Sequence, residues 1–384
     1  MNLYEASNQW ANRPNDERFW TLQDAYRSAV ENRQNSRTAK VNLKNLYCNS
    51  TESGEILING STSQASLTHH AMNDLCRQIG APAEFVRTLP AKQASEVMQT
   101  CINRTNKDAL LLFRSLPDNR LKLRCSSSTV YARIWNDLIF RYLIDLESYG
   151  WKVPPARPNG NNDGLARPAT AEDVTRASHA SLGIKEGDMI APAGIYLSDK
   201  DMFSCMVLES QPIDTGSGVP MHKGIMVKNA EVPGEAFHLW AFGHDGVCGN
   251  HIFWKVADLQ HLKIIHKGKA NEKFQDQFHI ELRKYANSGV QAIEQNIRKA
   301  KSMLLASTVE DVIDLVFKRG ILGKKDAENA YKYAVIEADT HRAGDPKSVW
   351  GYAAGITAYS QSFPYADQRN LLDQAAGKVL EFGF

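Results

Sequence analysis

The sequence predicts an α+β protein: a mainly antiparallel sheet packed with helices, followed by an all-helical C-terminal region. Three observations lead there. Short apolar runs bounded by Gly, Pro, Asn and Asp recur up to about residue 260, several of them alternating apolar with polar residues as half-buried strands do. Helical spacings interrupt these runs without the regular strand–helix alternation of a parallel sheet. From Ala270 onward the apolar spacing is helical nearly throughout.

Phe19-Trp20, Leu22, Ala25-Tyr26 and Ala29-Val30 recur at helical spacing, with Thr21 as the cap. Val41, Leu43 and Leu46 suggest a short extended piece, and Glu55–Ile58 between two glycines a strand. From Thr68, Ala71, Leu75 and Ile79 share a helical face that ends at Gly80. Ala81-Pro82 and Pro90 open two further helices. Ala109–Phe113 and Arg120–Cys125 flank the turn residues Pro117-Asp118-Asn119, the clearest hairpin in the chain. Val130–Leu146 then predicts a helix rich in aromatics.

Residues 151–168 carry Pro, Gly and Asn throughout and predict a linker or long loop. A helix over 170–182 follows. Strands are expected over 193–197 and 202–208, joined by Ser198-Asp199-Lys200-Asp201, and near 223–228, 236–243 and 251–256. In the tail, Phe274, Phe278, Leu282 and Tyr285 share one helical face and Val290, Ile293, Ile297, Ala300 and Leu304 another, which one long helix kinked at Gly289 could carry; helices at 309–319, 324–340, 346–361 and 364–380 follow. The chain thus divides into an α+β part with a basic hairpin (1–150), the linker (151–168), a β-rich part (169–268) and a helical region (269–384).

Hydrophobic content of 43% and charged content of 23% are those of a soluble globular protein. The net charge of +2 supplies no global field for a polyanion, so a nucleic-acid partner would need a local basic patch. The six cysteines are far apart and form no CxxC pair, as expected of isolated thiols in a reducing cytoplasm. The N-terminus lacks a basic start followed by an apolar run. No stretch approaches the roughly 18 apolar residues of a membrane span. GxxxxGK[ST], GxGxxG after a strand, HExxH and GxSxG are all absent.

Three groups of residues could carry chemistry. Strict alternation over Arg120–Cys125 places Arg120, Lys122 and Arg124 on one side of a strand, with Arg114 able to join them from its partner strand. Tyr131, Arg133 and Trp135 follow just downstream. Phosphates call for such a row of cations and unstacked bases for such aromatics, although an ordinary solvated strand would show the same alternation. His222, His238, His244, His251, His261 and His266 crowd one region, where His244, Cys248 and His251 have metal-ligand character but no fourth ligand at a recognisable spacing. The alternative is imidazoles bonded to backbone within a sheet. Cys248 with His251 also has the residue types of an activated thiol, which spacing alone does not establish. Asn229 and Glu231 could orient a water or bind a cation, or form a turn in which Glu231 pairs with a neighbouring lysine. His69-His70 falls at a helix start, where capping or partial burial is the plain account.

The stretch Lys223–Trp254 resembles the pattern "G-hydrophobic-N-S-E-V-G … C-x-N-H-hydrophobic-W" of a phage/plasmid-like protein family of unknown function. Its positions here are Asn229, Glu231, Cys248, Asn250, His251 and Trp254, and Pro233 before Gly234 departs from the usual form. Trp10-Ala-Asn-Arg-Pro, Ala81-Pro82 with Leu89-Pro90, Ser126–Arg133, Ser198–Phe203 and the segment from Val349 to Thr357-Ala-Tyr resemble further motifs of that family, in order along the chain. The resemblance implies a bacteriophage or mobile-element setting, in the cytoplasm of a bacterial host. Replication, recombination and counter-defence are the usual tasks there. It transfers no catalytic residue.

The expectation that results is a non-enzymatic protein that binds or anneals single-stranded nucleic acid without a cofactor or membrane, through Arg114, Arg120, Lys122, Arg124, Tyr131, Arg133 and Trp135, and that forms a homo-oligomer through its helical tail. One alternative is an interaction protein that inhibits or decoys a host defence factor. Another is a metal-dependent hydrolase using the histidine-rich region with Glu231.

Overall fold

Thr21 starts the first helix, α1 (Leu22–Gln34), its hydroxyl accepting from the Asp24 amide at 3.1 Å. The computed structural model describes residues 14–60, 64–153, 157–158, 164–175, 184–192, 194–216, 220–245, 251–252, 261–341, 343–360, 362–363 and 366–383. Strands β1 (Ser36–Asn42), β2 (Tyr47–Ser50), β3 (Ile56–Asn59) and β4 (Gln64–Leu67) follow α1. Thr68 caps α2 (His69–Ile79), which ends on Gly80 at φ 74°. Pro82 and Pro90 immediately precede α3 (Ala83–Thr88) and α4 (Ala91–Arg104). β5 (Asp108–Ser115) turns through Asn119, at φ 62°, into β6 (Leu121–Ser127).

These strands form one six-stranded sheet in the order β1-β5-β6-β4-β3-β2, antiparallel except where β4 runs parallel to β6. Its first face is apolar because Leu111, Phe113 and Leu123 point to it. Against them pack Leu75, Ile79, Met98 and Ile102 of α2 and α4. This is one of two large cores.

The second core gathers the rest. α5 (Asn136–Glu147) leads into β7 (Trp151–Lys152), β8 (Arg157–Pro158), β9 (Arg167–Pro168), α6 (Ala171–Thr175), β10 (Met189–Ala191), β11 (Ile195–Leu197), β12 (Asp201–Ile213), β13 (Met221–Ala230), β14 (Phe237–Asp245), β15 (His251–Ile252) and β16 (His261–Ile264). The larger sheet runs β11-β12-β13-β14-β15, with β7 on β12 and β16 on β14, and every pairing in it is antiparallel. A small sheet, β8-β10-β9, stands apart. The helical tail comprises α7 (Ala270–Asn287), α8 (Gln291–Ser302), α9 (Val309–Lys318), α10 (Lys324–His341), α11 (Val349–Ser360) and α12 (Ala366–Leu380). Phe237 of β14 meets Phe274 and Phe278 of α7 edge-on, at 5.0 and 5.2 Å between ring centres. α11 is buried nearly all round and lies tight on α10, since a Cβ at Gly355 would stand 2.4 Å from the Ala330 carbonyl oxygen.

The protein is therefore α+β, with antiparallel sheets packed on helices and a helical C-terminal region. Several elements differ from expectation. Residues 130–135 are not helical: Val130 lies in a turn, Tyr131 pairs with Lys267 and Ala132 donates to the His266 carbonyl, so α5 begins only at Asn136. The stretch 151–168 contributes three short strands that pair with β10 and β12. The expected long tail helix is two helices, broken where Ser288 turns extended at ψ 137°. β4, β10 and β16 are additional strands. The cores also divide the chain differently from its sequence segments, since α1 and α5 belong to the core of the larger sheet and the tail.

Candidate functional site at the junction of the two sheets

The second face of the six-stranded sheet meets the end of β13, and residues of the stretches Ser126–Arg133, Ser198–Phe203 and Asn229–Glu231 lie around it. The organising feature is a bulge in β6. Leu112 pairs with Cys125 and Phe113 with Leu123, so Arg124 is the extra residue and strict alternation fails at it. Its guanidinium turns into the junction, 2% exposed, and meets the Glu231 carboxylate at 3.0 Å. It also donates to the Asp199 carbonyl and to the Ser36 hydroxyl. The other Glu231 carboxylate oxygen accepts the Asn136 amide at 2.9 Å. That amide opens α5, whose cap residue Trp135 offers no side-chain acceptor, so Glu231 supplies both the missing acceptor and a favourable charge at the positive end of the helix.

Arg133 and Asn229 complete this clasp. Arg133 donates to the Glu231 carbonyl at 2.6 Å, and Asn229 donates to the Ile134 carbonyl and to Asn136 Oδ1 at 3.0 and 2.7 Å. A buried carboxylate with a cation and an amide, each within 3.0 Å, is the arrangement that makes burial of charge tolerable.

These placements correct the expected surface row of cations. Arg124 and Arg133 are interior groups bound to Glu231. Arg114 forms an ion pair with Asp199, and Arg120, well exposed, pairs with Asp118 in the same turn. Nor are the aromatics open platforms. Tyr131 stacks on His266 at 5.4 Å and donates to the Ala230 carbonyl, while Trp135 lies between the guanidiniums of Arg33 and Arg133. Glu231 pairs with Arg124 instead of a neighbouring lysine; Lys228 takes Glu235. Of the predicted cations only Lys122 has a groove-facing position and no ionic partner among the described residues.

Beside the clasp runs a groove of three adjoining hollows. The first, about 290 Å³, lies between Lys122 of β6, Thr68–His70 at the start of α2, and the Ser198–Asp201 turn. It shares His70, Lys200 and Asp201 with a second hollow of about 560 Å³, walled by α2, Lys228 and Pro233–Glu235. Arg77 and Pro233 continue into a third of about 410 Å³. Local sequence sets each wall. Thr68 caps α2 and donates to the Arg124 carbonyl at 3.1 Å, fixing the helix start to the bulge. The Ser198 hydroxyl donates to Asp201 and accepts the Lys200 amide, which holds the turn shut and projects Lys200 outward. Gly234 has φ 131°, and a Cβ there would come within 3.7 Å of His70.

Three groove acids are held in ion pairs: Asp74 with Arg77 at 2.8 Å, Glu235 with Lys228 and His238 at 2.8 and 3.1 Å, Asp199 with Arg114. Burial pushes the Glu235 carboxyl up, but the bonds from His238 and Lys228 outweigh it and hold it down at about 2. Lys200, like Lys122, has no ionic partner among the described residues. Asp74, Lys200, Lys228 and Glu235 were missed in the sequence, and His70 was assigned only a helix start. The Ser198–Asp201 motif and Gly234 were the available signals.

Cys248, Asn250 and Trp254 lie outside the described residues, as do the side chains of His244 and His251, so the His244–Cys248–His251 set is not placed. Among the described residues no three His, Cys, Asp or Glu side chains gather as metal ligands would. Buried thiols are inert there, Cys125 being pushed up to about 11 by burial. No helix among the described residues is long and apolar enough to cross a membrane. The chain matches no family model, no curated protein and no solved structure.

Proposed function

We propose that the protein binds single-stranded nucleic acid along the groove between its two sheets, in a bacteriophage or mobile element where such binding serves annealing in recombination or replication. The observation that carries this is the pair Lys122 and Lys200. Both line one hollow, and neither has an ionic partner among the described residues, so their charge is available to phosphate. Hollows of about 290 to 560 Å³ are of a size to take one nucleotide-sized group at a time. The clasp beneath is a rigid floor, and the phosphate contacts lie on the side chains of the rim.

The test is fluorescence anisotropy with labelled single-stranded and duplex oligonucleotides over a salt series. Single strands bind preferentially, and each lysine contact contributes about 0.7 to the slope of log affinity against log salt. Lys122→Glu with Lys200→Glu weakens binding and flattens the slope. Absence of single-strand binding at low salt would overturn the proposal.

A second reading has its own observation: Phe317, Ile336 and Leu371, on α9, α10 and α12, are 48%, 51% and 67% exposed. Such side chains suit a protein interface, as an interaction protein directed at a host factor would need. A stoichiometric protein partner that survives nuclease in a host-lysate pull-down favours that reading over the first.

A further inference from the structure

One histidine of the groove stands outside the clasp and lies against a buried carboxylate. His70 lies on α2 where the first and second hollows join. Its Nε2 stands 3.1 Å from Asp74 Oδ2, and both of these atoms are shut off from solvent. Asp74 is itself 2% exposed, and its other oxygen is taken by Arg77. The ring is thus turned with Nε2 inward on a buried carboxylate, which leaves Nδ1 at the groove. Lys122 and Lys200 border the same hollow. Protonation of His70 would place a third cation beside them, with Asp74 as its buried counter-ion.

We propose that His70 is a third phosphate-contacting group of the groove, one that binds the strand as an imidazolium. This rests on the nucleic-acid reading above and adds to it a proton linked to binding. The charges facing His70 come from every wall. His69, Asp74 and Arg77 share its helix, and Glu84 stands on α3. Lys200 and Asp201 come from the turn before β12, Lys228 and Glu235 from the end of β13 and the turn after it. Lys122, Arg124 and Glu17 close the far side. Asp74, Glu235, Arg77, Lys228 and Arg124 are tied to one another or to the clasp. A phosphate oxygen entering beside Nδ1 would therefore meet the imidazolium together with Lys122 and Lys200, which have no ionic partner among the described residues.

The experiment measures affinity for a 5′-hydroxyl oligothymidylate at pH 5.5 and pH 8 at constant ionic strength. Internal phosphodiesters carry the same charge at both pH values, so a change in affinity reports on the protein. The wild-type protein is expected to bind about tenfold more tightly at pH 5.5, the effect of one charge-assisted contact. His70→Gln abolishes the gain between pH 8 and pH 5.5, whereas His70→Lys binds at pH 8 about as tightly as the wild type does at pH 5.5. Unfolding midpoints check that both variants fold. Binding that does not depend on pH, or a gain that persists in His70→Gln, overturns the role of His70 and leaves the nucleic-acid reading standing. No binding at either pH overturns both.

Discussion

Two ends of one strand carry arginines of opposite character. Arg120 stands at the mouth of β6, well exposed, against Asp118 in its own turn. Arg124 sits on the bulge, almost wholly buried, against Glu231 from the other sheet. Side-chain type is alike at the two positions, and their energetics are not. In water the ion pair gains little, because solvent screens it and two long side chains must be ordered. In the junction the same pair has given up its hydration, and each partner is needed to offset the desolvation of the other. A cation-rich strand is therefore evidence about electrostatics only once the burial of each position is known. Here burial divides the row into a clasp and a rim.

The largest expected effect breaks the clasp. Glu231→Gln keeps the shape but strands the Arg124 charge and weakens the acceptor at the start of α5. We expect a loss of about 3–5 kcal/mol in urea unfolding. A smaller effect uses pH. Burial, stronger than the opposing bond to the Ala132 carbonyl, holds His266 down from its ordinary 6.5 to about 4. The native protein keeps this ring neutral in a range where the unfolded chain protonates it. Its contribution to stability is full above pH 6.5 and is lost as pH falls toward 4, on the order of 3 kcal/mol. His266→Phe should remove that part of the acid sensitivity, seen as a smaller drop in urea midpoint between pH 7 and pH 4.5. An equal drop in both proteins would mean that the ring is not shielded. The smallest effect lies at the exposed end: Arg120→Ala leaves the unfolding midpoint where it was, and a clear shift there would erase the contrast between the two ends.

Much of the fold was legible because its signals are local. Thr21, Thr68 and Gly80 mark helix ends by their own chemistry, Asn119 marks the hairpin, and the tail helices announce themselves by period. β4 was not legible: Gln64-Ala65-Ser66-Leu67 is short and half polar, and its partner β6 is distant and parallel. The non-helical run 130–135 carries helix-compatible residues and is held open by bonds to residues 231 and 266–268. The candidate site was legible in its motifs but not in its pairing. Arg133 and Glu231 are 98 positions apart, beyond the reach of any periodicity, and a one-residue bulge suffices to turn Arg124 inward.

The division of β6 into clasp and rim is tested most directly by equilibrium urea unfolding of Arg124→Met beside Lys122→Met. Both substitutions remove one cation from the same strand and keep an unbranched side chain of similar reach. The predicted result is a loss of about 3–5 kcal/mol for Arg124→Met, which leaves Glu231 buried without its cation, and a change within about 0.5 kcal/mol for Lys122→Met. Equal changes for the two variants, or the larger one at Lys122, would contradict the account.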